Sequence, residues 1–250
     1  MRFTIHSLLF ILSITSSLYA FANETIKTEL LAVANENRLL QYYENGENKG
    51  PSIEILEAIL KEAQLEAKVV FMPWARAFLT AKTKPNTLIL SMIRTPEREH
   101  NFHWITQVSH ATRVFISLKN KPESHADNMQ QAKQKLIAVI LGSAGYNELI
   151  SNGFSDKKNL YVVADAELMM TLLENERVDL VYEDPYNVRS ILNRRGKTNI
   201  DIRYKKIAPE NERISYIAIS KPTDIKIVNR LQQAARKFEK TQEYSRLVLE

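Results

Sequence analysis

The sequence predicts an α/β protein of two lobes with a cleft between them, and three observations carry that expectation. Apolar segments short enough for strands alternate with segments of helical periodicity, the pattern of a mostly parallel sheet covered by helices. The alternation runs once as far as Ile105 and begins again at Ile137, so the chain holds two such units. The 250 residues leave about 228 after an N-terminal leader, enough for two lobes of roughly 100 residues that each bury a core.

The leader comes first. Arg2, the apolar run Leu8 to Ile14 and the small residues Ala20 and Ala22 form a secretory signal peptide with cleavage expected after Ala22. Its apolar core is far shorter than the roughly 20 residues of a membrane anchor. The expected product is therefore a soluble periplasmic protein. With no cysteine in the sequence there is neither a disulfide framework nor a lipid-attachment thiol, so stability rests on core burial. The formal charge of +5 falls to +4 once Arg2 is removed, and both signs are scattered along the chain. A nucleic-acid binder would concentrate basic residues among aromatics; the nearest cluster, Arg194-Arg195-Gly196-Lys197, reads as a helix end, so no nucleic-acid partner is expected.

Taken in order, Glu29 to Ala34 reads as a strand, and the polar stretch Asn35 to Gly50, with Tyr42 and Tyr43, as a long loop. Gly50-Pro51-Ser52 opens a helix whose Ile55, Leu56, Ile59, Leu60 and Ala63 share one face. Lys68 to Met72 is a strand, Pro73 starts a helix with Trp74, Ala77, Phe78 and Ala81 on one face, and a third strand runs into Ser91. Phe102 to Ile105 and Arg113 to Leu118 are extended, and the passage between lobes falls between them. In the second unit Ile137 to Leu141 is a strand, a helix runs from about Tyr146 to Gly153, and Leu160 to Ala164 is a strand. Asp165 caps a helix carrying Leu168, Met169, Leu172 and Leu173; Val178 to Tyr182 is a strand; Asp184-Pro185 opens a helix that Gly196 closes. Ile200 to Tyr204 and Arg213 to Ile219 are strands, the latter returning to the first lobe, and helices over 224–239 and 242–248 end the chain. The expected division is a leader at 1–22, a first lobe at 23–110, a second at 111–209 and a return to the first at 210–250.

One segment stands out against this frame, Ser91-Met92-Ile93-Arg94-Thr95-Pro96-Glu97-Arg98. Thr95 before Pro96 makes a good helix start, with a threonine oxygen as cap and a proline that gives up a donor lacking a partner. Arg94 and Arg98 need another explanation, because a cation in the first turn of a helix is mildly unfavourable. Two guanidinium groups beside free N–H groups make an anion site.

This segment resembles the ligand-binding loop of the bacterial family 3 extracellular solute-binding proteins, the periplasmic receptors of polar amino-acid importers. Gly50-Pro51-Ser52-Ile53-Glu54-Ile55-Leu56, Pro73-Trp74-Ala75-Arg76-Ala77 and Asp179-Leu180-Val181-Tyr182-Glu183-Asp184 follow the family's order over the whole mature chain. The resemblance implies a type II periplasmic-binding-protein fold: two α/β lobes joined by two crossing strands, closing on a ligand by hinge motion. It implies that Ser91, Thr95 and Arg98 hold a carboxylate, for which an arginine fork is suited. Ser143 falls where the family has a second-lobe contact and is equally an N-cap. Asp184 falls where the family's acid receives the ligand's ammonium group and is equally a helix cap. Trp74 and Tyr42 are aromatic candidates for the ligand's flanks, Trp74 also lying on a core stripe. Ile93 stands where many amino-acid binders carry a second hydroxyl, and Arg94 adds a charge they usually lack.

The function expected is capture of a small anionic or zwitterionic solute, an amino acid or related compound, by a monomer that needs no cofactor and delivers it to an inner-membrane ABC permease. Two alternatives use the same scaffold. One is an enzyme of the cyclohexadienyl dehydratase kind, with Glu183 as the acid to suspect; the other is a receptor reporting to a membrane sensor.

Overall fold

The computed structural model describes residues 30–205 and 213–248. The signal peptide, its cleavage point and the 209/210 boundary lie outside the described residues. Two five-stranded sheets, among the described residues, form the two lobes. The first has the order β4-β1-β5-β12-β6, from strands β1 (Leu30–Ala34), β4 (Ala67–Phe71), β5 (Thr87–Ile93), β6 (Phe102–Ala111) and β12 (Arg213–Ser220). The second has the order β11-β7-β10-β8-β9, from β7 (Val114–Leu118), β8 (Ile137–Ile140), β9 (Leu160–Val163), β10 (Leu180–Glu183) and β11 (Ile202–Lys205). Strands β1, β4 and β5 are mutually parallel, as are β8, β9 and β10, while β12 and β7 run antiparallel to their neighbours. This is the two-lobed architecture that the alternation predicts.

Helices cover the sheets. In the first lobe α1 (Pro51–Ala63), α7 (Ile225–Phe238) and α8 (Gln242–Leu247) bury Ile55, Leu56, Ile59, Val228, Leu231 and Leu247 against one face, and α2 (Trp74–Thr83) covers the other through Trp74, Ala77 and Ala81. In the second lobe a short α3 (Met129–Ala132) is joined by α4 (Ala144–Ser151), α5 (Ala166–Glu174) and α6 (Pro185–Arg194). One apolar cluster is continuous through both lobes, from Val33 and Trp74 to Ile140 and Ala166. The cleft is therefore closed in part by apolar contact.

Four local expectations are corrected. The stretch after β1 is not a plain loop: Tyr42–Glu44 (β2) and Glu47–Lys49 (β3) pair around Asn45-Gly46, both at positive φ as a tight hairpin turn requires. Strand β5 does not stop at Ser91 but continues through Ile93, with one extra residue against β12 and Ser91 itself left-handed at φ 52°. Pro96–Asn101 is a 3₁₀ turn, not an α-helix, and the Thr95 side-chain oxygen accepts no capping hydrogen bond. Only six residues separate Thr95 from β6, and the Thr95 hydroxyl is engaged by Glu97, which it holds below the usual carboxylate range. Finally β6 runs well beyond Ile105, because its polar residues are buried by pairing: Ser109 with Ser215 at 2.7 Å and Thr106 with Glu239 at 2.8 Å.

The start of α1 depends on its glycine. Gly50 sits at φ 108°, and a Cβ there would meet the Leu40 carbonyl oxygen at 2.6 Å. That close approach lets Ser52 donate its backbone N–H to the same carbonyl and brings the loop's Gln41 over the end of the sheet.

Candidate ligand cleft

The C-terminal ends of β1 and β5 face the first turns of α4 and α6 across the gap between lobes, the usual place for a ligand in open α/β sheets. A cavity of about 60 Å³ lies there, bordered by Gln41, Trp74, Ser91 and Arg98 on one side and by Arg113, Ser143, Glu183 and Asn187 on the other. It shares Asn35, Glu36, Asn37, Ala166 and Asn187 with an outer chamber of about 280 Å³ whose walls include Phe71, Met72, Pro73 and Ile191. A third space of about 80 Å³ opens toward the strand crossing, beside Ser109, His110 and Asp184.

Arg98 dominates the inner cavity. Only 4% exposed, it donates from Nη1 to the Ile93 carbonyl at 2.9 Å and from Nη2 toward the Gly142 carbonyl of the other lobe at 3.4 Å. Its guanidinium stacks over Trp74 and Phe78, with centroid distances of 5.4 and 5.1 Å. Burial pulls its pKa down to about 10, and the charge of Arg113 opposite pulls the same way. Arg98 makes no ion pair among the described residues, which is the electrostatic condition for receiving an anion.

Arg113 enters where the chain crosses from β6 to β7, and Nη1 donates to Glu183 Oε2 at 3.2 Å. Burial works against its charge, but Glu183, with Tyr182, Asp184 and Glu148, more than offsets this and keeps its pKa above the ordinary value. Its stem passes Gly145 so closely that a Cβ there would lie 3.3 Å from Arg113 Cδ and 3.2 Å from Tyr182 Cδ1. Among the described residues the buried Nε of Arg113 has no hydrogen-bond partner, nor has Oδ1 of Asn187.

The hydroxyls are held by the fold. Ser91 donates to Gln41 Oε1 at 2.6 Å and lies 2.8 Å from the Ser52 hydroxyl, while Gln41 in turn donates to the Asn35 carbonyl. Ser143 caps α4 by accepting from the Tyr146 N–H at 3.0 Å, and its own proton remains to be donated into the cavity it borders. Trp74 borders the same cavity and donates from Nε1 to the Gly142 carbonyl at 2.9 Å, so it is both a core residue and a tie across the cleft.

Of the residues the sequence singles out, the structure therefore brings Arg98, Ser91, Ser143 and Trp74 to one cavity. It does not bring the others there. Arg94 is on the surface, ion-paired with Glu99 and set over the rings of Trp104 and Tyr216 at 5.2 and 5.5 Å. Thr95 does not border the cavity, and Tyr42 lies in the hairpin under the guanidinium of Arg38, 4.5 Å from its centroid. Asp184 touches only the space at the crossing: Oδ1 accepts from the Tyr186 N–H at 2.8 Å and Oδ2 from the Thr112 N–H at 3.0 Å. Burial raises its pKa. Gln41, Arg113 and Asn187 join the site without a cue in the sequence, since each belongs to a different segment and none carries a local motif.

A model of the bacterial extracellular solute-binding proteins, family 3, matches residues 30–247. The chain belongs to this family. Among curated proteins it is 23% identical over 164 residues to the L-cystine-binding protein TcyA of Bacillus subtilis (strain 168), a match covering 65% of this chain and 58% of that relative's length. Among solved structures it is similar to a histidine kinase sensor domain with similarity to periplasmic binding proteins, at a TM-score of 0.77 and 14% identity over 88% of this chain and 94% of that one. It is likewise similar to the arginine-, lysine-, histidine-binding protein ArtJ from Geobacillus stearothermophilus, at a TM-score of 0.73 and 17% identity over 88% and 93% of the two chains. At these identities the solved structures establish the two-lobed periplasmic-binding-protein fold for this family 3 solute-binding protein, and the site is argued from its own residues.

Proposed function

We propose that this protein works in the periplasm as the binding component of an ABC importer, capturing a carboxylate-bearing solute, an amino acid or related compound, between its lobes. The observation that carries this is the buried guanidinium of Arg98, which borders the cavity, makes no ion pair among the described residues and has Arg113 opposite it. An incoming carboxylate relieves the repulsion between these two cations and gains charge-assisted hydrogen bonds away from water. Because Arg98 and Arg113 come from different lobes, the anion favours the closed state over the open one, and that difference is what converts binding into closure. The kinds of ligand named for TcyA and ArtJ fit an amino-acid class. The outer chamber, several times larger than the inner cavity, leaves the bulk of the solute to Phe71, Met72, Pro73 and Ile191.

Isothermal titration of the mature protein against the twenty common L-amino acids and L-cystine tests the reading. At least one should bind, and Arg98→Met should weaken it by roughly 30-fold to several-thousand-fold, the range for removing one partner of a buried charge pair. No binding across the panel would overturn it.

A further inference from the structure

The buried polar side chains of this fold are, with few exceptions, visibly matched: Gln41 with Ser91, Ser109 with Ser215, Ser124 with Asp179, Ser220 with Thr223. Asn187 is different. It is 3% exposed, in the first turn of α6, and its Oδ1 has no partner among the described residues. Asparagine is a poor helix former, and an unpaired buried carbonyl disfavours folding, so neither helix formation nor packing accounts for this side chain. Its position does. Asn187 borders the inner cavity, the outer chamber and the space at the crossing alike.

The two acidic side chains beside it are already committed. Glu183 accepts from the Asp184 N–H through Oε1 at 2.9 Å and from Arg113 through Oε2. Asp184 uses one oxygen to cap α6 and the other to hold Thr112. A donor on a solute anchored at Arg98 thus meets Asn187 as the buried acceptor whose capacity is unspent, and Arg113, which borders the same two cavities, holds in Nε a buried donor equally unspent among the described residues.

Resting on the reading of this cleft as a solute site, we propose that Asn187 determines specificity by accepting, through Oδ1, a hydrogen bond from an N–H or O–H group on the solute. The solute class is an acid that presents an acceptor to Arg113 and a donor to Asn187 from adjacent atoms. A neutral acceptor adds no further charge to a lining that already holds Arg98 and Arg113 with Glu36 and Glu183.

The test uses the strongest binder from the twenty L-amino acids, L-cystine and their α-hydroxy counterparts, together with the analogue of that binder lacking the α-donor. In the parent protein, deleting the donor should weaken binding at least tenfold. In Asn187→Leu, of similar volume, the intact binder should already be weakened to that extent, and deleting its donor should change little further. Ligand-free Asn187→Leu should melt at or above the parent's temperature, since an unpaired carbonyl has been removed; Asn187→Ala serves the same comparison if leucine cannot be accommodated. Undiminished affinity with unchanged donor dependence in both variants, while Arg98→Met loses binding, would overturn the role of Asn187 alone. Failure of every probe to bind the parent would overturn the solute reading and this inference with it.

Discussion

Trp74 of the first lobe donates its indole N–H to the carbonyl oxygen of Gly142 in the second, 2.9 Å away, and Arg98 reaches toward the same oxygen from 3.4 Å. One carbonyl thus ties the closed cleft from two sides. Trp74→Phe keeps the ring and removes the shorter bond, worth about 1 kcal/mol net, or about a fivefold shift toward the open form. Small-angle scattering of the ligand-free protein should show expansion, with apparent affinity reduced by up to the same factor. An unchanged scattering profile would mean that apolar contact alone sets the closure.

Arg98 titrates where its effect on binding can be observed. With its pKa lowered by burial to about 10, the ligand-free protein carries the charge at neutral pH and loses it above about 10. A bound carboxylate raises that pKa, so affinity should be flat from pH 8 to 9 and about fourfold weaker at pH 10.5. For folding the sign is opposite: a cation whose pKa is lowered in the native state carries a cost below about pH 10 that fades as pH rises through it. Arg98→Met should therefore hold or raise the ligand-free melting temperature at pH 7 while removing binding, which differential scanning calorimetry can check.

Asp184 joins the first turn of α6 to the crossing residue Thr112. Asparagine can keep the cap but turns one acceptor into a donor, leaving either Thr112 or the helix N–H unpaired. Asp184→Asn should cost about 1–3 kcal/mol in urea unfolding and change affinity little. A large loss of affinity for amine-bearing ligands at unchanged stability would instead make Asp184 a direct ligand contact.

Gly145→Ala tests how Arg113 is placed. The added methyl crowds Arg113 Cδ and Tyr182 Cδ1, whereas helix propensity gains about 1 kcal/mol from the same change. Stability should move by less than about 1 kcal/mol in either direction, while ligand affinity falls several-fold as the guanidinium is displaced. Titration calorimetry alongside thermal melts separates the two effects.

Much of the fold is legible in the sequence where burial is apolar. The stripe of α1 and the unbroken run of β5 announce themselves because one face, or both, must leave water. The second half of β6 does not, since Thr106 and Ser109 are buried as hydrogen-bonded partners of residues more than 100 positions away. Hairpin β2-β3 is equally hidden: Tyr43 and Glu47 are exposed, so Asn45-Gly46 is its single cue. In the cleft, Arg98 is visible because it closes a continuous segment, Ser91 to Arg98, whose residue order itself sets the arginine apart. Asn187 and Arg113 become conspicuous only once the lobes face each other, when their unmatched atoms can be seen.

The place of β12 in the first sheet has a consequence for how the chain matures. It is inserted between β5 and β6, although β6 is complete at Ala111 and β12 starts at Arg213. Until that late segment emerges, β5 and β6 have no strand to join them, and Leu88 and Ile89 lack the Ala218 and Ile219 that pair with them. Such long-range strand pairing is slow to form. A nascent chain of this topology leaves its first sheet unfinished through most of its synthesis, and the last strand to emerge is the one that joins the two edges left apart.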